Sequence, residues 1–305
     1  MSIVHLCRYS AGVAEFWRDL LEDALGEPVH LGPPHAPMDA AALTAVDIAI
    51  VANPEPGLLA RMPNLRFVQS LWAGVDSLLQ DASLPAGVPV ARLVDPNLAR
   101  AMAEATAAHV LALHRQLPLY RAQQARTLWK PHHQPLAAEC PVTILGMGAM
   151  GQAAADMLRA IGFPVTGWRR ADGDAGLERA LSDARIVVNL MPLTAQTRHI
   201  LSAPLFARMR PGTGLINFGR GGHQVPDDII AALDSGRLCH AVLDVFEPEP
   251  LPAESPLWRH PCVTVTPHVA AETDSRTAAH CAAANIAAFR AGRPVAGLVD
   301  RAHGY

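Results

Sequence analysis

The chain is poor in charge. Of its 305 residues, 17% are Asp, Glu, Lys or Arg, against roughly 25% in an average globular protein. The 25 basic and 28 acidic residues leave a formal net charge of −3, so there is no basic field to hold nucleic acid or an anionic membrane. Long hydrophobic runs are also missing. Half the residues are hydrophobic and mean hydropathy is mildly positive, yet no window approaches about 18 uninterrupted apolar residues, and no transmembrane helix is expected. Cysteines are few: Cys7, Cys140, Cys239, Cys262 and Cys281 are odd in number, widely spaced and contain no Cys-x-x-Cys. That argues against a disulfide framework and fits a reducing cytoplasm. Met1 to His5 lack a basic stretch followed by an apolar one, so no signal peptide is read. The 14 histidines include one adjacent pair, His132-His133, and no HExxH or finger spacing, so no metal is expected.

What is present is a repeated alternation of short apolar runs and helical periods. The length alone predicts two domains. Ile3–Leu6, Val46–Val51 and Leu65–Ser70 read as strands, and Val13–Leu25 reads as a helix stopped by Gly26. A long Ala-rich helix is expected from Asn97 to about Leu117, with Asn97 as its N-cap after Pro96. The polar stretch from His114 to Glu139 reads as a crossover or interface loop. A second series follows: strands at Val142–Leu145, Val165–Trp168, Ile186–Leu190, Gly214–Phe218, Ala241–Val245 and Val263–Thr266, with a helix at Ala149–Ile161 ending at Gly162. Strands separated by helices of this size predict parallel α/β sheets.

Gly146-Met147-Gly148-Ala149-Met150-Gly151 matches G-x-G-x-x-G. Such a cluster alone could be a tight turn, but here an apolar strand precedes it and a helix follows, the setting a dinucleotide site needs. The first Gly allows the turn, the second lets backbone approach a pyrophosphate, and the third lets helix and strand pack closely. The pyrophosphate then meets the helix N-terminus. At the end of the next strand, where NAD enzymes carry an Asp or Glu, stand Trp168-Arg169-Arg170; Arg169 lies 18 residues beyond Gly151. With no carboxylate to repel a 2′-phosphate and two guanidiniums to bind it, NADP(H) is expected over NAD(H).

Three more segments place polar groups at the carboxyl ends of apolar strands, where open α/β sheets bind ligands: Asn217 to Gly222, Asp244 to Pro250 and Thr266 to Ala271. Together with the glycine fingerprint they resemble the D-isomer-specific 2-hydroxyacid dehydrogenase family over nearly the whole chain. Arg220 to Glu249 spans 29 residues and Glu249 to His268 spans 19. The short second interval, with His-Val-Ala-Ala after Pro267, resembles the glyoxylate/hydroxypyruvate reductase A branch. So do Ser70-Leu71-Trp72-Ala73-Gly74-Val75-Asp76 and the closing Val299 to Tyr305.

The resemblance implies two doubly wound parallel-sheet domains: a flavodoxin-like substrate domain of residues 1–94 plus 280–305, and a Rossmann NAD(P)-binding domain of 95–279. It implies that His268 is the general acid, Glu249 its carboxylate partner and Arg220 the group that holds the substrate carboxylate. These residue types suit the chemistry. Histidine can be protonated near neutral pH, a carboxylate bonded to its ring favours the imidazolium, and a guanidinium binds carboxylate and polarises a carbonyl. Glu247 is the nearby decoy. By the same resemblance, Met191, Pro192, Thr197, Phe218, Asp244 and His268 line the cofactor with Gly146, Gly148, Ala149, Met150 and Gly151. Asp244 would hold the nicotinamide amide. The substrate would meet Trp72, the backbone of Ala73 and Gly74, Arg92, Trp129 and Arg220.

Three points stay open on the residues. Trp72, larger than usual there, could narrow the pocket or enter the core. Arg92 could contact substrate or form a surface ion pair, and Trp129 could enter a partner's site or pack at an interface. The activity implied is NADPH-dependent reduction of glyoxylate and hydroxypyruvate by a cytoplasmic homodimer acting on a small 2-oxo or 2-hydroxy acid. The alternatives are another 2-oxo acid reductase on the same fold, or a non-catalytic protein that senses NADP(H).

Overall fold

A computed structural model describes residues 2–301. The closing segment's Ala302, His303, Gly304 and Tyr305 lie outside the described residues, as does Met1. In chain order the elements are β1 (Ser2–Cys7), α1 (Ala11–Leu25), β2 (Val29–Leu31), α2 (Ala40–Ala45), β3 (Val46–Ala52), β4 (Phe67–Ser70), α3 (Asp76–Leu79), β5 (Val90–Ala91) and α4 (Pro96–His114). Then come α5 (Leu117–Ala125), β6 (Val142–Leu145), α6 (Ala149–Ile161), β7 (Val165–Trp168), α7 (Gly173–Ser182), β8 (Ile186–Asn189), α8 (Ala203–Ala207) and β9 (Thr213–Asn217). The last are α9 (Pro226–Asp234), β10 (Leu238–Leu243), β11 (Val263–Val265) and α10 (Ser275–Arg290). The chain divides into two compact units, one of 2–97 with 273–301 and one of 98–272.

The first unit holds a five-stranded sheet in the order β2-β1-β3-β4-β5, every pairing parallel. Its central strands are buried on both faces, as helices covering a parallel sheet require; β3 is buried at every position, while the edge strand β2 exposes His30. The order reverses between β1 and β3, which is the flavodoxin-like arrangement. The late helix α10 packs on α1 and β4. Phe289 stacks on Phe67 with ring centroids 4.6 Å apart, Asn285 donates to Gln69 Oε1 at 2.9 Å, and Arg290 pairs with Glu27. The Asp95 carboxylate accepts the Asn97 N–H at 2.8 Å and the Thr277 hydroxyl at 2.6 Å. Asp95 therefore caps α4, with Pro96 in its first turn. Asn97 lies inside the helix, because Pro needs no amide partner there.

The second unit holds a six-stranded parallel sheet in the order β11-β10-β9-β8-β6-β7. Its two apolar layers pack on opposite faces. The α/β class with two parallel sheets, expected from the alternation of runs, is what the structure shows. Two local expectations fail. The stretch from His114 to Glu139 is not all loop: Leu117–Ala125 is helical, its polar composition reflecting a half-exposed helix. The strand Val29–Leu31 goes unread in the sequence, since three residues carry no period.

Candidate active site

In the second unit, the loops that could hold ligands leave the carboxyl ends of β6, β7, β8, β9 and β10. Gly146 has φ +100°, and a Cβ there would lie 2.8 Å from the Leu190 backbone. A Cβ at Gly151 would collide with the Gly146 carbonyl oxygen. These two glycines therefore fold the turn tightly against α6. Gly148 precedes α6, and a Cβ there would meet nothing within 4 Å. The helix N-terminus at Gly148 and Ala149 thus opens on accessible space, with Met150 partly covered. Unbonded amide donors, a favourable helix end and no side chain in the way are what a bound phosphate requires.

Past β7, the three residues of interest separate by environment. Trp168 turns its indole into the core and donates to the Gly173 carbonyl at 3.1 Å, so it can offer the site only its backbone. Arg169 and Arg170 are exposed. Arg170 donates to Gln196 Oε1 at 2.9 Å, and the Arg169 side chain has no bonded partner among the described residues. The loop after β8 carries Met191, which is buried, and Pro192, which is exposed. The Thr197 hydroxyl donates to the Pro192 carbonyl at 2.8 Å and fixes that loop from within. Phe218 is buried, with His109 of α4 edge-on at 5.5 Å. Burial lowers the His109 pKa, opposed by the nearby Asp244 charge.

Glu249 and His268 meet directly: Glu249 Oε2 lies 2.9 Å from His268 Nδ1. The other carboxylate oxygen, Oε1, accepts the Phe246 N–H at 2.8 Å, which orients the acid. Both side chains are about half exposed. Glu247 is turned away and pairs with Arg198 at 2.6 and 3.1 Å; that bond holds its carboxyl below the usual range. His268 has φ +57°, a conformation that costs a non-glycine residue on the order of 1 kcal/mol or more. The surrounding bonds keep it there. Its N–H donates to the Asp244 carbonyl at 2.8 Å. The buried Asp244 carboxylate accepts from Thr266 Oγ1 (2.6 Å), Val269 N (2.9 Å) and Ala270 N (3.0 Å). Asp244 thus ties down the histidine loop, a role the sequence does not reveal.

Arg220 follows β9 and is partly buried, with Nη1 donating to the Gly219 carbonyl at 2.8 Å. Its loop is anchored by two asparagines, Asn217 of the segment already singled out and Asn189, which the sequence does not single out. Asn189 and Asn217 end neighbouring strands in register, and Asn189 Nδ2 donates to Asn217 Oδ1 at 2.9 Å. The one signal for them in the sequence is a polar residue closing an otherwise apolar run.

In the first unit, the loop after β4 carries Trp72, Ala73 and Gly74. Among the described residues neither the Ala73 nor the Gly74 amide finds an acceptor. Trp72 sets its ring edge-on to Tyr9 at 6.3 Å, and its buried Nε1 makes no hydrogen bond. Arg92 follows β5, forms no ion pair among the described residues, and has its pKa lowered by burial. Trp129 lies between α5 and β6 and is 98% exposed.

Comparison with known proteins agrees with this layout. Residues 107–270 match the family model for the D-isomer-specific 2-hydroxyacid dehydrogenase NAD-binding domain. The chain is 41% identical over 274 residues to the glyoxylate/hydroxypyruvate reductase A of Serratia proteamaculans, covering 85% of this chain and 88% of that one. A 2-hydroxyacid dehydrogenase from Xanthobacter autotrophicus Py2, solved with NADPH and MES, superposes with a TM-score of 0.92 at 37% identity, covering 100% of this chain and 99% of that one. The NADPH-dependent glyoxylate/hydroxypyruvate reductase of Sinorhizobium meliloti, solved with NADP and sulfate, gives 0.89 at 38% identity, with full coverage of both chains. Sequence, sheet order and site geometry agree: the chain belongs to the D-isomer-specific 2-hydroxyacid dehydrogenase family.

Proposed function

We propose that the protein reduces small 2-oxo acids with NADPH, taking glyoxylate to glycolate and hydroxypyruvate to D-glycerate. The observation that carries the reading is the Glu249–His268 contact of 2.9 Å, made in the same unit as Arg220 and the open helix end at Gly148. NADPH, bound there, supplies the hydride. The α6 N-terminus at Gly148 to Met150 would take its pyrophosphate, and Arg169 with Arg170 its 2′-phosphate. Among the described residues no carboxylate bonds either guanidinium, so both fit a phosphate.

The protein's own groups divide the remaining work. Arg220 binds the substrate carboxylate and polarises the carbonyl. With Nδ1 bonded to Glu249, His268 presents Nε2, from which a proton passes to the carbonyl oxygen as it gains negative charge. Glu249 fixes the ring and stabilises its charged form. Asp244 keeps the histidine loop in place. Within the first unit, the unbonded Ala73 and Gly74 amides and the Arg92 guanidinium are groups that suit a carboxylate.

A steady-state screen of glyoxylate, hydroxypyruvate and phenylpyruvate with NADPH and NADH tests this reading. Turnover of the two small acids with NADPH is expected, and no turnover of any 2-oxo acid despite tight NADPH binding would identify a sensor. His268→Ala should lower kcat by about 10²–10⁴-fold with NADPH affinity nearly intact; equal loss of both would remove the acid role. The protein acts in the cytoplasm as a homodimer. Trp129 and its exposed neighbours Leu128 and Leu136 supply apolar area suited to an interface. A monomer mass in light scattering, unchanged by Trp129→Ala, would refute the dimer.

A further inference from the structure

His223 is fully buried and lies three residues beyond Arg220, at the end of the short turn Gly221–His223. Its ring is bonded on both sides. Nδ1 receives the Arg220 N–H at 3.1 Å and the Asn189 side-chain amide at 2.9 Å. Nε2 lies 3.2 Å from the Pro192 carbonyl oxygen. A backbone N–H only donates and a carbonyl only accepts, so the proton sits on Nε2 and Nδ1 carries the lone pair. The asparagines fix the same sense independently. Asn189 Oδ1 accepts the Met191 N–H at 3.2 Å, which turns its NH₂ toward His223. Asn217 Oδ1 accepts the Gly219 N–H at 3.1 Å.

The result is that Arg220 is held at both of its main-chain polar groups. Its N–H is bonded to His223 Nδ1, and its carbonyl accepts from Asn217 Nδ2 at 3.2 Å and from the His223 N–H at 3.2 Å. The loop after β8 is joined to the same turn by His199 N–H on the Gly222 carbonyl (2.9 Å) and Leu201 N–H on the His223 carbonyl (2.8 Å). There is no slack: a Cβ at Gly219 would come within 2.8 Å of Asn189 Nδ2 and 3.0 Å of His223 Nδ1.

We propose that His223 is a positioning residue for Arg220: the Pro192 carbonyl holds the ring as the neutral Nε2–H imidazole, and its Nδ1 accepts the Arg220 N–H, so that the guanidinium meets the substrate carboxylate from one fixed root. This rests on the role given above to Arg220 and extends it. Small misplacements of a binding group cost large factors in rate, and losing the Arg220 N–H acceptor leaves a buried donor unpaired.

Two variants separate the halves of the ring. The amide of His223→Gln reaches the place of Nε2 and can still donate to Pro192, but it removes the acceptor for Arg220. The oxygen of His223→Asn stands near Nδ1 and restores that acceptor. Expected for His223→Gln is a KM for glyoxylate raised about tenfold or more, with the NADPH dissociation constant from fluorescence titration moved less than about threefold. His223→Asn should recover most of the KM. An unchanged KM in His223→Gln, or a parallel loss of kcat, KM and NADPH affinity in both variants, overturns the proposal. Amide hydrogen exchange of the Gly219–Arg220 peptide in the unliganded protein reads the contact without turnover. Faster exchange in His223→Gln, reversed in His223→Asn, supports it, and equal exchange overturns it. If the unsubstituted enzyme reduces no 2-oxo acid, the functional reading fails while the exchange measurement still decides the positioning claim.

Discussion

At the residue scale, the cofactor preference rests on a side chain with no competing partner. Arg169 is exposed, and its guanidinium has no bonded partner among the described residues; Arg170 is already engaged by Gln196. The first should therefore carry more of the discrimination. Arg169→Asp is expected to raise the KM for NADPH at least about tenfold, the scale of one charged hydrogen bond, and to lower that for NADH. Equal changes for both would refute a phosphate clamp at this position. The residues proposed to meet ligands were the legible ones, because Gly, Arg, Glu and His beside strand ends have few structural reasons to be there. Asp244 was legible only as a contact for the cofactor. Its three bonds to the loop bearing His268 come from residues 22 to 26 positions away, and no local pattern reports such pairings.

At the element scale, the sheets were readable wherever apolar residues ran together, and the misses include short or polar pieces such as β2, β5 and α5. Two strands carry a buried histidine that such a run hides. His5 in β1 has its pKa pushed down to about 4, first by burial and then, against its bond to the Ile50 carbonyl, by His35. His240 in β10 is also pushed down to about 4, by burial and then by His260. A neutral buried histidine opposes protonation in the fold, while the unfolded chain takes up protons near pH 6.5. Between these values the unfolded state binds more protons, so stability falls as pH drops from about 6.5 toward 4. The two sites together make this loss on the order of several kcal/mol. Thermal unfolding should show a falling Tm across that window. His240→Leu should flatten the fall, and a Tm as high at pH 4.5 as at pH 7 would contradict the argument.

At the scale of the whole molecule, the first unit is assembled from two ends of the chain. The contact that matters is Asn285, buried on α10, which donates to Gln69 and to the Ala296 carbonyl and accepts the Ala296 N–H. Asn285→Ala unpairs Gln69 and the Ala296 backbone at once, and a loss of roughly 2–3 kcal/mol is expected, measured by chemical denaturation. A change below about 0.5 kcal/mol, the scale of ordinary surface substitutions, would show that α10 is held by its apolar face alone.

That arrangement also sets the order in which the protein can mature as it is made. The strands of the first unit leave the ribosome early, but α10, which covers α1 and Phe67, is translated only after the whole of 98–272. At ordinary synthesis rates about 10–40 s separate β5 from α10. During that interval the second unit, contiguous in the chain, can complete its fold first, while the first-made sheet waits with an apolar face unsheltered. The nascent chain is therefore most in need of a chaperone at its oldest segment, and the unit begun first is the last to be finished.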